Sequence, residues 1–357
     1  MSKPTRYKLK SAPVDNRSLR WVPLVLAVAL SGCSTYYGQL VAGQLTLLSQ
    51  REPVEAIIES PRTEPALRQR LALAQQARRF ASQALGLPDN GSYRVYADIG
   101  RPYVVWNVFA TPEFAVAPLT HCFPIAGCVA YRGYYQQGRA RGEAARLGLE
   151  GYDTHVAGVQ AYSTLGWFDD PLLSSMLRWS DDRLAGLIFH ELAHQRLYVA
   201  DDTAFNESFA SFVEHEGLRQ WQARRGVAPA RTGQPRHYAD FSQLMLETRE
   251  RLAVLYASGL DADRMRAAKA AEFTRLRQAY RQLRDTQWQG DTRFDRWMAQ
   301  PLNNASLVPF GLYDRWVPAF AALFEQAGGD WPRFYEAVEA LGRLRADERS
   351  RRLDMLM

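Results

Sequence analysis

The sequence predicts an α+β fold: a small mixed or antiparallel sheet, then a pair of helices bearing a metal-ligand pattern, then a predominantly helical C-terminal part. Three observations predict it. Aromatic and β-branched runs bounded by Gly and Pro fall between about residues 90 and 170. Beyond Ser180 the apolar residues recur at helical spacing almost to the end. Where the two regimes meet stands His190-Glu-Leu-Ala-His194. With 357 residues, 47% of them apolar, the chain can bury a substantial core, and no fixed-period repeat or low-complexity linker divides it.

The charge is uneven. Lys3, Arg6, Lys8, Lys10, Arg17 and Arg20 against Asp15 place +5 of the formal +6 in residues 1–32, which leaves +1 for the body. Charge therefore gives no argument for a nucleic-acid partner. The apolar run Trp21–Leu30 is shorter than the ~20 residues a membrane span needs, and reads as the core of a signal peptide covering residues 1–32. An uncleaved anchor helix is the alternative. Leu30-Ser31-Gly32-Cys33 resembles the lipobox of bacterial lipoproteins, which implies that Cys33 is acylated and tethers the chain to a membrane. Ser34 resembles the sorting signal of outer-membrane lipoproteins, so the expected place is the envelope, facing the periplasm. Cys122 and Cys128 then remain as an even pair in an oxidising compartment, and a disulfide is expected. A metal role beside His121 would lack a matching second half-site.

From 33 to 60 the chain reads as a lead-in from the lipid, and 61–357 as one domain. Arg68–Leu85 carries Leu71, Ala74, Phe80, Ala81 and Ala84 on one helical face and is ended by Gly86 and Pro88. Tyr93–Ile99 and Tyr103–Ala110, separated by Gly100-Arg101-Pro102, predict a hairpin. Val129–Tyr135 and Val156–Leu165 predict strands flanking a short helix over 142–147. The metal-bearing helices are expected over about 180–222, and helices again over about 236–357. There the charged stretch Arg264–Arg284, whose apolar positions are sparse, reads as a solvated helical hairpin.

Ser180 followed by Asp181 and Asp182 marks a helix start, because a Ser cap and first-turn carboxylates satisfy free amides and favour the positive end of the dipole. In that helix His190 and His194 lie one turn apart on one face, where two imidazole nitrogens can converge on a single zinc ion at roughly 2 Å each. Glu191 projects beside them, suited to take a proton without ligating. Asn206-Glu207-Ser-Phe-Ala-Ser-Phe-Val-Glu214, preceded by Asp202-Thr203 as a cap, is again helical in period. An antiparallel second helix would return one carboxylate, Glu207 or Glu214, to the metal and leave the fourth position open, as in a catalytic rather than a structural site.

His190-Glu-Leu-Ala-His-Gln195 with Asn206-Glu-Ser-Phe-Ala-Ser-Phe-Val-Glu214 resembles the zinc motif of the aminopeptidase N-like gluzincins, a branch of the zincin peptidases. With the lipobox, Phe123-Pro-Ile-Ala-Gly-Cys128 and Tyr162-Ser-Thr-Leu-Gly-Trp-Phe168, the whole chain resembles a bacterial family of lipoprotein aminopeptidases. The resemblance implies one zinc ion on His190, His194 and Glu207, Glu191 as general base, and a peptide substrate. Only twelve residues separate His194 from Glu207, fewer than in aminopeptidase N or thermolysin. Glu214, with nineteen, is therefore the competing ligand.

In resembling enzymes a tyrosine stabilises the oxyanion, and Tyr313 in Asn303-Asn304-Ala-Ser-Leu-Val-Pro-Phe-Gly-Leu-Tyr313 is the candidate. The substrate is expected to pair with an edge strand upstream of the metal helix, formed by Tyr162, Ser163, Thr164, Leu165 and Gly166. That strand has no acid to hold a free amine, so an envelope endopeptidase stands as the alternative to an aminopeptidase. A non-enzymatic envelope lipoprotein is the third reading. His121 and His155 read as structural, and His215 as a solvated helix residue.

Overall fold

The computed structural model describes residues 22–123, 127–161, 164, 168–227, 234–311 and 315–357. The chain divides into two units after Leu48. The first, where described, is all but the last residue of helix α1 (Val22–Ser49), which contains both the predicted apolar run from Val22 on and Cys33. Among the described residues no helix is long and apolar enough to cross a membrane.

The second unit is α+β, with short strands ahead of a helical C-terminal part. It opens with β1 (Arg51–Pro53), α2 (Val54–Glu59) and α3 (Pro65–Ala84). α3 covers the predicted helix, starts with Pro65 in its first turn, and is followed by Gly86 in the left-handed region at φ 66°. β2 (Val95–Ala97) pairs antiparallel with β1 and parallel with β8 (Leu172–Leu173), giving a small mixed sheet. Nothing in Arg51-Glu-Pro53 signals a strand by composition, since two charges and a proline are all depleted there.

β3 (Val105–Pro112) is the centre of a second, antiparallel sheet, flanked by β6 (Tyr131–Tyr134) and β7 (Tyr152–Val159). The predicted hairpin between Tyr93–Ile99 and Tyr103–Ala110 is therefore absent: β2 and β3 belong to different sheets. Gly100 at φ 60° starts the bend, Arg101 donates to the carbonyls of Val104 (2.9 Å) and of Tyr135 (2.8 Å) just after β6, and Val104 N donates to Val159 O (2.8 Å) at the end of β7. A Gly-x-Pro turn serves either route, so local sequence cannot separate them. β4 (His121–Phe123) and β5 (Gly127–Val129) form a hairpin closed by a Cys122–Cys128 disulfide. α4 (Gln137–Leu149) extends the predicted short helix at both ends. β7 ends at Val159, short of the predicted Leu165.

The helices that carry the candidate metal ligands are α5 (Asp181–Arg196) and α6 (Thr203–Arg224), packed on one another. Phe80 of α3, Phe189 of α5 and Trp221 of α6 meet with ring centroids 5.2–6.5 Å apart. The far side of α6 faces α11 (Val317–Gln326) and α12 (Trp331–Gly342), through Phe205 and Phe209 on Phe320 and Phe212 on Phe334. Buried on two sides, the first half of α6 sets Phe205, Phe209, Phe212 and Val213 into the core, with the small polar Asn206, Ser208 and Ser211 buried among them.

α7 (Gln234–Tyr256) and α8 (Ala262–Thr286) pack as a helical hairpin, and the stretch Arg264–Arg284, expected to be a hairpin in itself, is one unbroken helix whose partner is α7. The sparse apolar positions of α8 are well placed, for Met265, Phe273, Leu276 and Tyr280 are all buried. Short α9 (Asp295–Met298) and α10 (Asn304–Leu307) follow. α10 pins this part to the second sheet: Asn303 Nδ2 donates to Thr154 O (2.9 Å), and the Asn304 backbone N to Asp153 Oδ2 (3.0 Å). The C-terminal α13 (Ala346–Asp354) supplies Arg349, 4% exposed, whose guanidinium donates twice to Asp202 Oδ2 at 2.6 and 2.8 Å.

Candidate metal centre

Both helices start where their caps dictate. Ser180 Oγ accepts from Arg183 N (3.3 Å) at the head of α5, and Asp202 Oδ1 from Phe205 N (3.1 Å) at the head of α6. The turn between them is held from inside: the buried Asn206 bonds both backbone groups of Val199. These restraints set the phase of α6 against α5, and so decide which carboxylate faces the histidines.

His190 Nε2 and His194 Nε2 stand 3.2 Å apart. Glu207 Oε2 lies 3.4 Å from the first and Glu207 Oε1 3.7 Å from the second. Two donors on a tetrahedral zinc ion at ~2.0–2.1 Å are separated by about 3.3 Å, so the three groups already have the spacing of a ligand set. Among the described residues they are the group of this kind that could hold a metal. Glu214 takes a different place, with Oε2 3.1 Å from His190 Nδ1, on the side of the ring away from the other two ligands. The short helix-to-helix connection thus delivers Glu207 to the group, and the longer spacing of Glu214 carries it one side further round.

The donor chemistry demands positive charge. With Nδ1–H of His190 donated to Glu214, Nε2 is left with a lone pair facing a second imidazole nitrogen and a carboxylate. Burial opposes charge on His190, yet Glu207 and Glu214 raise its imidazole pKa well above the ordinary value. Burial likewise works against a charged Glu207, but His194 and His190 hold its carboxyl down at about 2. A divalent cation meets all three lone pairs at once, which a proton cannot, so the residues fit a metal ion.

Glu191 is partly buried beside this group. Burial raises its carboxyl pKa, opposed by the two histidines and reinforced by Glu207 and Asp170. Its helix neighbour Gln195 accepts from Asn90 Nδ2 (2.7 Å) and donates to Ser92 Oγ (3.2 Å) and Asp170 Oδ2 (3.3 Å). The buried Asp170 also takes Thr164 N (3.0 Å) and Thr164 Oγ1 (2.8 Å). Thr164 of the predicted substrate segment is thereby tied to the metal helix; Tyr162, Ser163, Leu165 and Gly166 lie outside the described residues.

Tyr313 also lies outside them. Three residues on, Trp316 N donates to Ser208 Oγ (3.1 Å), next in sequence to Glu207. Sequence reasoning missed Tyr198, whose ring meets His194 edge-on at 6.4 Å, and Asp170, an acid in a Phe-Asp-Asp-Pro turn with no local mark of burial. The other histidines keep apart from the group: His155 on β7 packs on Phe109 with its pKa lowered by burial, and His215 is exposed on α6.

No curated protein and no solved structure matches the chain. The family described as "Putative aminopeptidase" does match, over residues 35–353. The histidine–glutamate constellation therefore sits inside nearly full-length homology to one group of proteins, and the chain belongs to that aminopeptidase family.

Proposed function

We propose that the chain is a zinc-dependent aminopeptidase in which His190, His194 and Glu207 hold one zinc ion and Glu191 is the general base. The observation that supports this best is the convergence of two imidazole nitrogens and one carboxylate at pairwise distances of 3.2–3.7 Å. Zinc held there supplies a Lewis acid that polarises the scissile carbonyl and acidifies water. Glu191 takes the proton of the attacking water and delivers it to the leaving amine. Its raised pKa suits the first half of that task, since the carboxylate of a weaker acid is the stronger base. Tyr313 is the proposed oxyanion donor, on the resemblance to zinc peptidases that use a tyrosine in that role. A non-enzymatic role fits less well, because a structural zinc site uses four protein ligands and needs no base. The test is Glu191→Gln: it should keep its zinc and lose hydrolysis of unblocked peptides by about a hundredfold or more. Full activity in that variant overturns the mechanism.

One observation favours a second reading, an envelope endopeptidase: Tyr162–Gly166 contains no acid to hold a substrate's free amine. Comparing one peptide with free and with N-acetylated terminus separates the two. Cleavage of the free form alone supports the aminopeptidase; equal cleavage of both supports the endopeptidase.

We also propose that Cys33 carries lipid and anchors the chain to the outer membrane, facing the periplasm. The lipobox pattern supports this, as does a family match that begins at residue 35. Cys33→Ser should shift the protein from the membrane to the soluble fraction of cells producing the full chain; unchanged membrane association overturns the anchor.

A further inference from the structure

α5 carries a glycine in its interior, Gly186, one turn ahead of His190. Glycine there is destabilising relative to alanine, because its backbone has more freedom to lose. The position is nevertheless occupied on its open side. A Cβ at Gly186 would stand 3.0 Å from Glu214 Oε1, 3.2 Å from Glu214 Cγ and 2.9 Å from Leu218 Cδ1. The other oxygen of the same carboxylate, Oε2, is the one 3.1 Å from His190 Nδ1. Glu214 therefore lies across the bare backbone of Gly186 with one edge and holds the imidazole with the other.

The contrast with the second histidine is instructive. His194 Nδ1 is buried and has no hydrogen-bond partner. One ring is braced by a carboxylate, and the other is set by packing, including the edge of Tyr198.

We infer that Gly186 is a positioning residue: the missing side chain seats Glu214 against His190 Nδ1 and so turns His190 Nε2 toward Glu207 and His194. This rests on the proposed zinc site and deepens it. An alanine at 186 would push the carboxylate outward by a few tenths of an ångström, lengthening the 3.1 Å contact and freeing the ring.

The experiment is a double-mutant cycle on the full chain, read as zinc affinity by chelator competition and as thermal unfolding of the metal-free protein. Gly186→Ala should weaken zinc binding about tenfold or more, the size expected when a partner of a ligating histidine is disturbed. The metal-free variant should melt no lower than wild type, since alanine is the better helix former. In a Glu214→Ala background the same substitution should change affinity by less than about twofold, because the group it displaces is gone. Wild-type affinity in G186A overturns the inference. So does an undiminished loss in the E214A background, or full recovery in G186A/L218A, either of which assigns the effect to aliphatic packing.

If the wild-type chain takes up no zinc, the zinc reading fails and the metal-free protein decides the inference. Nitrogen-15 spectra should show His190 held in one Nδ1-protonated form in wild type and released from it in G186A. Identical ring signals in the two proteins would overturn it.

Discussion

Asn206 grips Val199 by both of its backbone groups: Val199 N donates to Asn206 Oδ1 at 2.8 Å, and Asn206 Nδ2 donates to Val199 O at 2.7 Å. Asn206 is buried and immediately precedes Glu207, so a side chain outside the candidate metal group fixes the turn that sets where the Glu207 carboxylate lands. Asn206→Ala leaves a donor and an acceptor of the turn unpaired and should cost about 3 kcal/mol, at 1–3 for each orphaned group. Asn206→Asp keeps the acceptor and should cost less. Urea unfolding of the two variants checks the order; equal midpoints for Ala and wild type contradict it.

Tyr313→Phe removes the hydroxyl of the proposed oxyanion donor. The expected loss is about a hundredfold in kcat with KM nearly unchanged, the pattern of an interaction made in the transition state. Tyr198→Phe serves as comparison, since Tyr198 is the described tyrosine whose ring meets a proposed ligand. A large kcat loss at 198 with none at 313 would transfer the role to Tyr198.

Glu143 on α4 gives a pH test remote from the centre. Its carboxylate bonds Arg146 and Arg132, which outweigh burial and hold its pKa below the ordinary value. A carboxyl depressed in the folded state contributes stability that is complete above its unfolded pKa of about 4.3 and is lost as pH falls through the folded value. Glu143→Gln should therefore melt lower than wild type at pH 7, with the gap closing below about pH 4. A gap that is constant with pH contradicts the ion-pair account.

The Cys122–Cys128 disulfide closes a loop of sequence separation 6, and Cys128 N donates to Asp201 Oδ1 (2.8 Å) in the turn between the metal helices. Cross-linking so short a loop is worth about 2 kcal/mol by the chain-entropy estimate. Cys122→Ser with Cys128→Ser should show that loss in urea unfolding, and reductant should bring wild type to the same midpoint. Coincident midpoints for oxidised wild type and the double variant contradict it.

The centre was legible because its signals are local. A Ser cap, two histidines at i and i+4 and a second capped helix follow from one turn of helical geometry, and all fall where the sequence places them. The α+β class was legible for the same reason, as strand composition between about 90 and 170 gives way to helical periodicity beyond Ser180. What local sequence cannot carry is partner choice. Tyr93–Ile99 has strand composition whether it pairs with Tyr103–Ala110 or, as found, its Val95–Ala97 pairs with Arg51–Pro53 and Leu172–Leu173. The choice of Glu207 over Glu214 depends on the length of a turn whose hold, Asn206 on Val199, is visible only in three dimensions. Asp170, in contact with both Thr164 and Gln195, is likewise a product of the fold.

The most direct test of the central claim is zinc stoichiometry of the purified full chain after loading and extensive dialysis, beside Glu207→Gln and Glu214→Gln. Wild type should hold one zinc ion per chain and E207Q a small fraction of that, while E214Q binds measurably but more weakly. A zinc-free wild type, or an E207Q variant that keeps the full complement, would contradict the account.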